Sequence, residues 1–278
     1  QANNTLMVNH STFLDNLAVT GAAGAINHSA GDGRIINSVF ARNRVVDGAP
    51  IFTLNLESTG HVDVIHNTIV ATGFGSEPGF GTAIGVTGGS AAISNTIIMS
   101  YTTGIDDGEG TVIEDFNLFN NVSLERSSGT PAGVNDRTDS TGNNNPDFVD
   151  MAADDYHLLA TSNAIDSGTN AGGADDHDEF LRDAAPDVGA FESPFGAAEI
   201  SVANTSVAEG NSGTTHLSFP LTLSTVKGVT VTVAYTISDG TATNGVDYSG
   251  ALTGIASFAP GTTDTTIDVD VTGELLVE

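Results

Sequence analysis

An all-β chain in two parts is the expectation: a right-handed parallel β-helix solenoid over residues 1–196, then an antiparallel β-sandwich over 197–278. Three observations lead to it. A short segment recurs along the first 120 residues, the intervals between its copies are rich in Gly, Asn, Asp and Ser, and from about residue 197 the pattern changes to alternating runs separated by turn signals.

The clearest copy of the recurring segment is His66-Asn67-Thr68-Ile69-Val70. His10-Ser11-Thr12-Phe13, Asn37-Ser38-Val39-Phe40, Ser94-Asn95-Thr96-Ile97 and Phe116-Asn117-Leu118-Phe119 follow the same plan. Their second residues fall at 11, 38, 67, 95 and 117, giving steps of 27, 29, 28 and 22 residues. A period in this range marks a solenoid, whose unit buries its apolar face only by stacking on its neighbours. Alternation just before each copy, as in Val62-Asp63-Val64 and Val112-Ile113-Glu114, and the β-branched or aromatic residue closing it suit strands. No apolar pattern of period 3.6 is long enough for a helix. Stacking is expected to align Phe13, Phe40, Ile69, Ile97 and Phe119 in one inward column, and Ile26, Ile51, Ile84 and Ile105 in a second. The polar residue beside the first column belongs at a corner, bonded to backbone of the turn and of the next coil. The stretch Gly73 to Gly89 reads as a protruding loop.

Composition sets limits on partners. Seven Lys and Arg stand against 35 Asp and Glu, a formal charge of −28, and Lys227 is the single lysine. Such a surface repels nucleic acid and anionic membrane, and fits either simple solvation or divalent cation binding. With 278 residues two domains are expected, no apolar run reaches a membrane span, and the absence of cysteine rules out a disulfide framework. The chain opens at Gln1 in an Asn-rich turn and reads as a piece of something longer.

Residues from about 121 to 196 read as a segment capping the solenoid. After loop compositions near 121–150 come Asn145-Pro146-Asp147-Phe148, Asp155-Tyr156-His157-Leu158, Ala164-Ile165-Asp166-Ser167-Gly168 and Pro186-Asp187-Val188-Gly189-Ala190-Phe191-Glu192. This succession resembles the C-terminal end of secreted bacterial pectin-lyase-like, choice-of-anchor β-helix proteins, and the resemblance implies closure of the last coils and an extracellular or cell-surface location. Asp166, Asp175, Asp176, Asp178, Asp183 and Asp187 surround Arg182, whose fork of donors suits a charge-assisted clasp over the open end of the stack. The run Asp175 to Glu179 lacks EF-hand spacing and reads as solvated, with His177 on the surface; a calcium site is the functional alternative there.

In the last part, Thr230 to Tyr235 and Thr266 to Val271 alternate as sandwich strands do. Glu209-Gly210-Asn211-Ser212-Gly213, Asp239-Gly240-Thr241-Ala242-Thr243, Gly245-Val246-Asp247-Tyr248, Phe258-Ala259-Pro260-Gly261 and Gly273-Glu274-Leu275-Leu276-Val277-Glu278 together resemble a Calx-beta domain. The resemblance implies an immunoglobulin-like sandwich, incomplete at its C-terminus, whose end loops bind calcium. Carried over by motif, the metal ligands are Glu209, Asp247, Glu274 and Glu278. Gly273 and Leu275 stand where the family pattern is richer in acids, which points to fewer ions or weaker binding. Asp239-Gly240 reads as a hairpin turn, and Tyr248 and Phe258 as core.

No catalytic residues are assigned. Arg34, Arg42, Arg44, His61 and His66 are the positive candidates on the coils, and Asp63 with Asp32 or Asp47 the candidate acid pair, but scattered acids in an acidic protein always offer such pairs. His66 shares its repeat position with His10, Asn37 and Ser94 and reads as a corner residue. The expectation is a non-catalytic part of a secreted or cell-surface protein, with the β-helix as stalk or carbohydrate-facing surface, calcium in the sandwich, and a polysaccharide or another surface component as partner. The alternative is a polysaccharide lyase or glycoside hydrolase of the pectin-lyase-like superfamily carrying a Calx-beta accessory module.

Overall fold

The computed structural model describes residues 5–20, 23–47, 52–71, 81–127, 129–139, 145–195, 198–224, 227, 230–259 and 261–275. Two compact units divide the chain, Gln1–Gly196 and Ala197–Glu278. Among the described residues there is no α-helix, only the 3-10 turn Met151–Ala153.

The first unit is a parallel β-helix. One flank stacks Leu6–Asn9, Gly33–Ile36, His61–Ile65, Ser90–Ser94 and Thr111–Asp115; the second stacks the three-residue strands Thr12–Leu14, Val39–Ala41, Thr68–Val70, Ile97–Met99 and Leu118–Asn120, followed by Arg137–Asp139. A third flank stacks Ala23–His28, Phe52–Leu56, Thr82–Val86, Thr103–Asp106 and Leu124–Arg126. Thr82–Val86 thus makes a strand of five residues within the stretch read as the loop Gly73 to Gly89, while 72–80 lie outside the described residues.

Left-handed residues bracket the short strands. His10, Asn37, His66, Asn95 and Phe116 precede them and Asp15, Arg42, Ser100 and Asn121 follow, all with φ between 45° and 65°. Asn, Asp and His tolerate this region better than other non-glycine residues, which explains six of these nine corners, though not Arg42, Ser100 or Phe116. The corner ladder corrects the repeat by one residue. Asn95, not Ser94, aligns with His66, so the steps from 10 through 37, 66 and 95 to 116 are 27, 29, 29 and 21. The first inward column is therefore Phe13, Phe40, Ile69, Ile98 and Phe119, with Ile97 level with Thr68 and Leu118 on the opposite face. The shared tripeptide Asn-Thr-Ile at 67–69 and 95–97 suggests the wrong alignment, and a one-residue slip sends each side chain to the other face. In the second column Leu54 stands between Ile26 and Ile84; Ile51 lies outside the described residues.

Beside the first column the polar residues do bond across coils. Asn67 accepts from the Ser38 amide at 3.1 Å and donates to the Ile35 and Ile65 carbonyls at 2.9 and 3.0 Å, fully buried. Asn117 repeats the pattern, accepting from the Thr96 amide at 3.0 Å and donating to the Ile93 carbonyl at 3.1 Å. Phe13 and Phe40 stack with ring centroids 4.8 Å apart.

Residues 145–195 do not sit over the end of the stack. They form a strap along the outer face of the second flank, where Phe148, Tyr156, Leu158, Val188, Ala190 and Phe191 cover Val39, Ala41, Val70, Ile97 and Leu118. The strap is pinned to successive coils: His10 faces Asp175 at 3.4 Å, Arg42 donates to Asp154 at 2.6 Å and Tyr156 at 3.1 Å, and Ala190 donates to Thr68 at 3.0 Å. Gly189, with φ of 109°, lies so near Ile97 that a β-carbon would come within 2.7 Å of its side chain, so only glycine fits the seam. Arg182 is a clasp of another kind from the expected one. It holds a single carboxylate, Glu192, at 3.1 Å, and otherwise donates to the carbonyls of Asp175, Asp187, Gly189 and Ala190 and to Asn37 Oδ1.

The last coil is closed by Arg126. Register places it above Ile105, in the second inward column, and its guanidinium lies 4.7 Å from the centroid of the Phe119 ring. Glu114, Glu125 and Asp136 pair with it, and the Glu114 and Asp136 side chains are 0% and 1% exposed. Among the described residues, an arginine with its carboxylates thus forms the last rung of an aliphatic ladder.

The second unit is a two-layer antiparallel sandwich. Ile200–Val202, Gly213–Leu223, Asp264–Gly273 and Tyr248–Ser249 form one sheet, and Val231–Thr236 pairs with Thr253–Phe258 in the other. Leu221, Leu223, Ala256 and Phe258 make the buried core between them, with Tyr248 also buried. An open apolar cleft of about 390 Å³ separates the sheets beside Ile200, Phe219, Val233, Tyr235 and Ile267.

Candidate functional site

Two of the four expected metal ligands, Glu209 and Asp247, face a common pocket of the sandwich. They line this pocket of about 380 Å³ together with Ser238, Gly240, Thr241, Leu217, Phe219 and Val269. Two backbone contacts bring the end of the long strand Asp264–Gly273 to the same place. The Thr272 amide donates to the Asp247 carbonyl at 2.8 Å, and Gly273 lies so close to the 209–212 turn that a β-carbon there would meet the Glu209 carbonyl at 2.8 Å. The missing side chain at Gly273 is therefore what lets the turn lie against the strand. Glu274 follows it directly, half-buried; Glu278 lies outside the described residues.

Chemically the end is partly prepared for a hard cation. Asp247 accepts from the Thr243 amide at 2.7 Å through Oδ2, and Glu209 offers an exposed carboxylate. Calcium takes six to eight oxygens, so two or three carboxylates here would leave most of the coordination shell to carbonyls and water. The described residues contain no group of three or more His, Asp or Glu side chains disposed to hold a metal ion. Asp239-Gly240 is not a hairpin turn: it lies on the connection from Val231–Thr236 to Tyr248–Ser249, which belong to different sheets. Asp239 staples that connection, accepting from the Asn244 amide at 2.9 Å and the Tyr248 hydroxyl at 2.8 Å.

The charged candidates on the coils disperse into local pairs. His61 contacts Ser90 at 2.8 Å and Asp63 at 3.2 Å on an exposed face, and Asp32 accepts from the His61 amide at 2.9 Å. The Asp47 side chain lies outside the described residues. Arg42 binds Asp15 at 2.7 Å as well as the strap, and these carboxylates raise its pKa. His66 is a buried corner residue, accepting from Asn95 at 3.0 Å.

The linkage among several strap residues was not anticipated, and His177, expected on the surface, is mostly covered within it. His157 donates to Asp155 at 2.6 Å and to Asp178 at 2.9 Å, Asp178 also accepts from His177 at 2.9 Å, and His177 Nε2 lies 2.9 Å from Thr12 Oγ1 on the first coil. Phe191 packs against both rings, with centroids 4.2 and 4.9 Å away. Burial acts downward on the pKa of His157, but the Asp155 and Asp178 carboxylates outweigh it and hold the imidazole above its ordinary value. The signal was the density of His and Asp between 155 and 178; what they pair with depends on where the strap lies.

Comparison with known proteins supplies one match. Residues 196–278 match the model of the Calx-beta domain. No curated protein and no solved structure matches the chain.

Proposed function

We propose that the chain is a non-catalytic extracellular or cell-surface protein in which the β-helix serves as a stiff stalk or carbohydrate-facing surface and the Calx-beta domain binds calcium, in an adhesive or matrix role. The observation that carries the reading is the convergence of Glu209, Asp247 and the segment 272–274 on one end of a domain that matches Calx-beta. Carboxylates brought together from distant parts of a chain repel one another, and a divalent cation relieves that repulsion while adding its own bonds. The formal charge of −28 agrees with a surface that meets calcium-rich surroundings and avoids nucleic acid. No described helix is long and apolar enough to cross a membrane.

Thermal unfolding with EGTA and then with millimolar Ca²⁺ tests this. A ligand bound only by the folded state at a hundredfold excess over its Kd stabilises by about 2.7 kcal/mol, which for a domain this small moves Tm by roughly 10–20 °C. The rise is expected in the transition of the C-terminal unit, and Asp247→Ala is expected to remove it. No shift at any calcium concentration would overturn the calcium assignment and leave these carboxylates as solvated charge.

A further inference from the structure

The strap is tied to the coils in two ways. Over most of its length the polar ties use arginine or backbone: Arg42 donates to Asp154, Arg34 to the Gly172 carbonyl, and the Gly189 amide to the Asn95 carbonyl at 2.8 Å. The turn 175–181 is held otherwise. Among the described residues, each side-chain ion pair it makes has a histidine for a partner: Asp175 faces His10 at the first corner, and Asp178 faces both His157 and His177. Arginine keeps its charge throughout the physiological range, whereas histidine changes charge between about pH 5 and 8.

His157 is the centre of this arrangement. Both of its ring nitrogens lie against carboxylates, Nδ1 on Asp155 at 2.6 Å and Nε2 on Asp178 at 2.9 Å, and a ring that donates from both nitrogens is an imidazolium. Asp155 belongs to the same strand, Asp155–Leu158, and Asp178 to the turn, so the protonated ring joins the two. The Phe191 ring, with its centroid 4.2 Å away, is an uncharged wall beside them. From Asp178 the contacts continue through His177 to Thr12 on the first coil. After deprotonation one ring nitrogen has no proton, and the carboxylate against it meets a lone pair instead of a donor.

We propose that the turn 175–181 is a pH-operated latch, closed on the first coil while His157 carries both ring protons and released when one is lost. The turn moves as a piece because it is stapled internally. Asp176 Oδ1 accepts from the Asp178 and Phe180 amides, both at 2.9 Å, and the Arg182 amide closes the base of the turn on the Ala174 carbonyl at 3.0 Å. Two bonds that do not titrate also hold it, from the His177 amide to the Ala190 carbonyl at 2.8 Å and from the Glu192 amide to Asp176 Oδ2 at 2.7 Å. Loss of the proton therefore shifts the balance between closed and released forms instead of deciding it alone. Burial acts downward on the pKa of His157, and Asp155 and Asp178 outweigh it and hold the ring above its ordinary 6.5. Closure is thus favoured below about 6.5 and is lost as pH rises through the value of the closed form. Burial acts upward on Asp178, but His177 and His157 outweigh it and hold the carboxyl below 3.8, so its contribution is present above that value and fails only in acid. Release carries Phe180 and Leu181, 65% and 72% exposed, away from the first coil.

Amide hydrogen exchange of the full chain, corrected for the intrinsic rate at each pH, reads the latch at about pH 5.5 and about pH 8.5. Protection of the His177 and Phe180 amides should fall by about threefold to tenfold between the two, the order expected for two partly exposed ion contacts. The Gly189 and Ala190 amides, bonded to Asn95 and Thr68, should change by less than about twofold, because the strap itself stays down. His157→Gln, uncharged at both pH values, should show the lower protection at both. The His157 side chain is 45% exposed, so this substitution leaves the packed core intact. Equal protection of the turn at both pH values in the parent chain would overturn the latch without recourse to a variant. An equal fall at Gly189 and Ala190 would mean that the whole strap lifts, and a pH dependence that survives in His157→Gln would remove His157 from its centre; either result overturns the proposal.

Discussion

Replacing Arg126 by Met should open the end of the β-helix, and the size of the effect should depend on pH. Arg126 fills the last position of an aliphatic column and pairs with two carboxylates, Glu114 and Asp136, that are almost wholly buried. Met keeps much of the apolar bulk over Phe119 but leaves those acids without a cation, and removing one partner of a buried pair costs about 3–5 kcal/mol. Burial first, then the hydrogen bond to Glu114, push the pKa of Asp136 up to about 7 from its ordinary 3.8. The sign follows from this upward shift. The Asp136 contribution to stability is complete below 3.8 and is lost as pH rises through about 7. At pH 5 Asp136 is already mostly protonated in the folded chain while Glu114 still loses its partner, so the variant should lose less there than near pH 8.5, where the full amount is expected. For a unit of this length each kcal/mol corresponds to roughly 2–4 °C, so the Tm loss near pH 8.5 should be about 6–20 °C and the loss at pH 5 smaller. Far-UV circular dichroism reads the transition, since the chain has no tryptophan. Adding Glu114→Gln and Asp136→Asn to Arg126→Met should restore most of the loss at high pH. A cost under about 1 kcal/mol at both pH values, or one independent of pH, would refute the ion-cluster account of the end cap.

Other perturbations probe the ladder and the strap. Asn67→Ala strips the Ser38 amide and the Ile35 and Ile65 carbonyls of their side-chain partner inside the stack, so a loss of about 2–5 kcal/mol is expected in urea unfolding. Serine at 67 should recover only a part, because its hydroxyl cannot span the same groups. His157, whose folded pKa is raised, stabilises the strap most below its unfolded value near 6.5 and loses that contribution as pH rises through the folded value. Its side chain is 45% exposed, so a shallow slope of Tm against pH is expected, and His157→Gln should flatten it.

The repeat, the strand character and the change of pattern near residue 197 were all legible in the sequence, because side-chain alternation and turn residues are local signals. Register was not. Ile97 and Ile98 are both apolar, so alternation gives no choice between them, and the left-handed Asn95 that decides the matter is visible only in the backbone. The strap was read as a cap because its motifs name it without saying where it lies; its position rests on contacts such as Ala190 with Thr68, 122 residues apart. Arg126 sat in a stretch read as loop, since nothing local marks an arginine as the last rung of a column. At the sandwich end, Glu209, Asp247 and Glu274 came from family motifs, whereas the reason for Gly273 appeared only with the close approach of the turn.

The corner ladder also says where this architecture tolerates change. The segments 10–15, 37–42, 95–100 and 116–121, each closed by left-handed residues, and 66–71, which aligns with them, are each six residues long, whereas the spans between them, 16–36, 43–65, 72–94 and 101–115, hold 21, 23, 23 and 15. Length variation has thus been absorbed outside the six-residue brackets. A graft of foreign sequence, or a whole extra coil, belongs in the intervening spans, where Jacobson–Stockmayer closure makes added length inexpensive. One residue added inside a bracket would instead turn the following strand inside out, and every coil stacked above would inherit the fault.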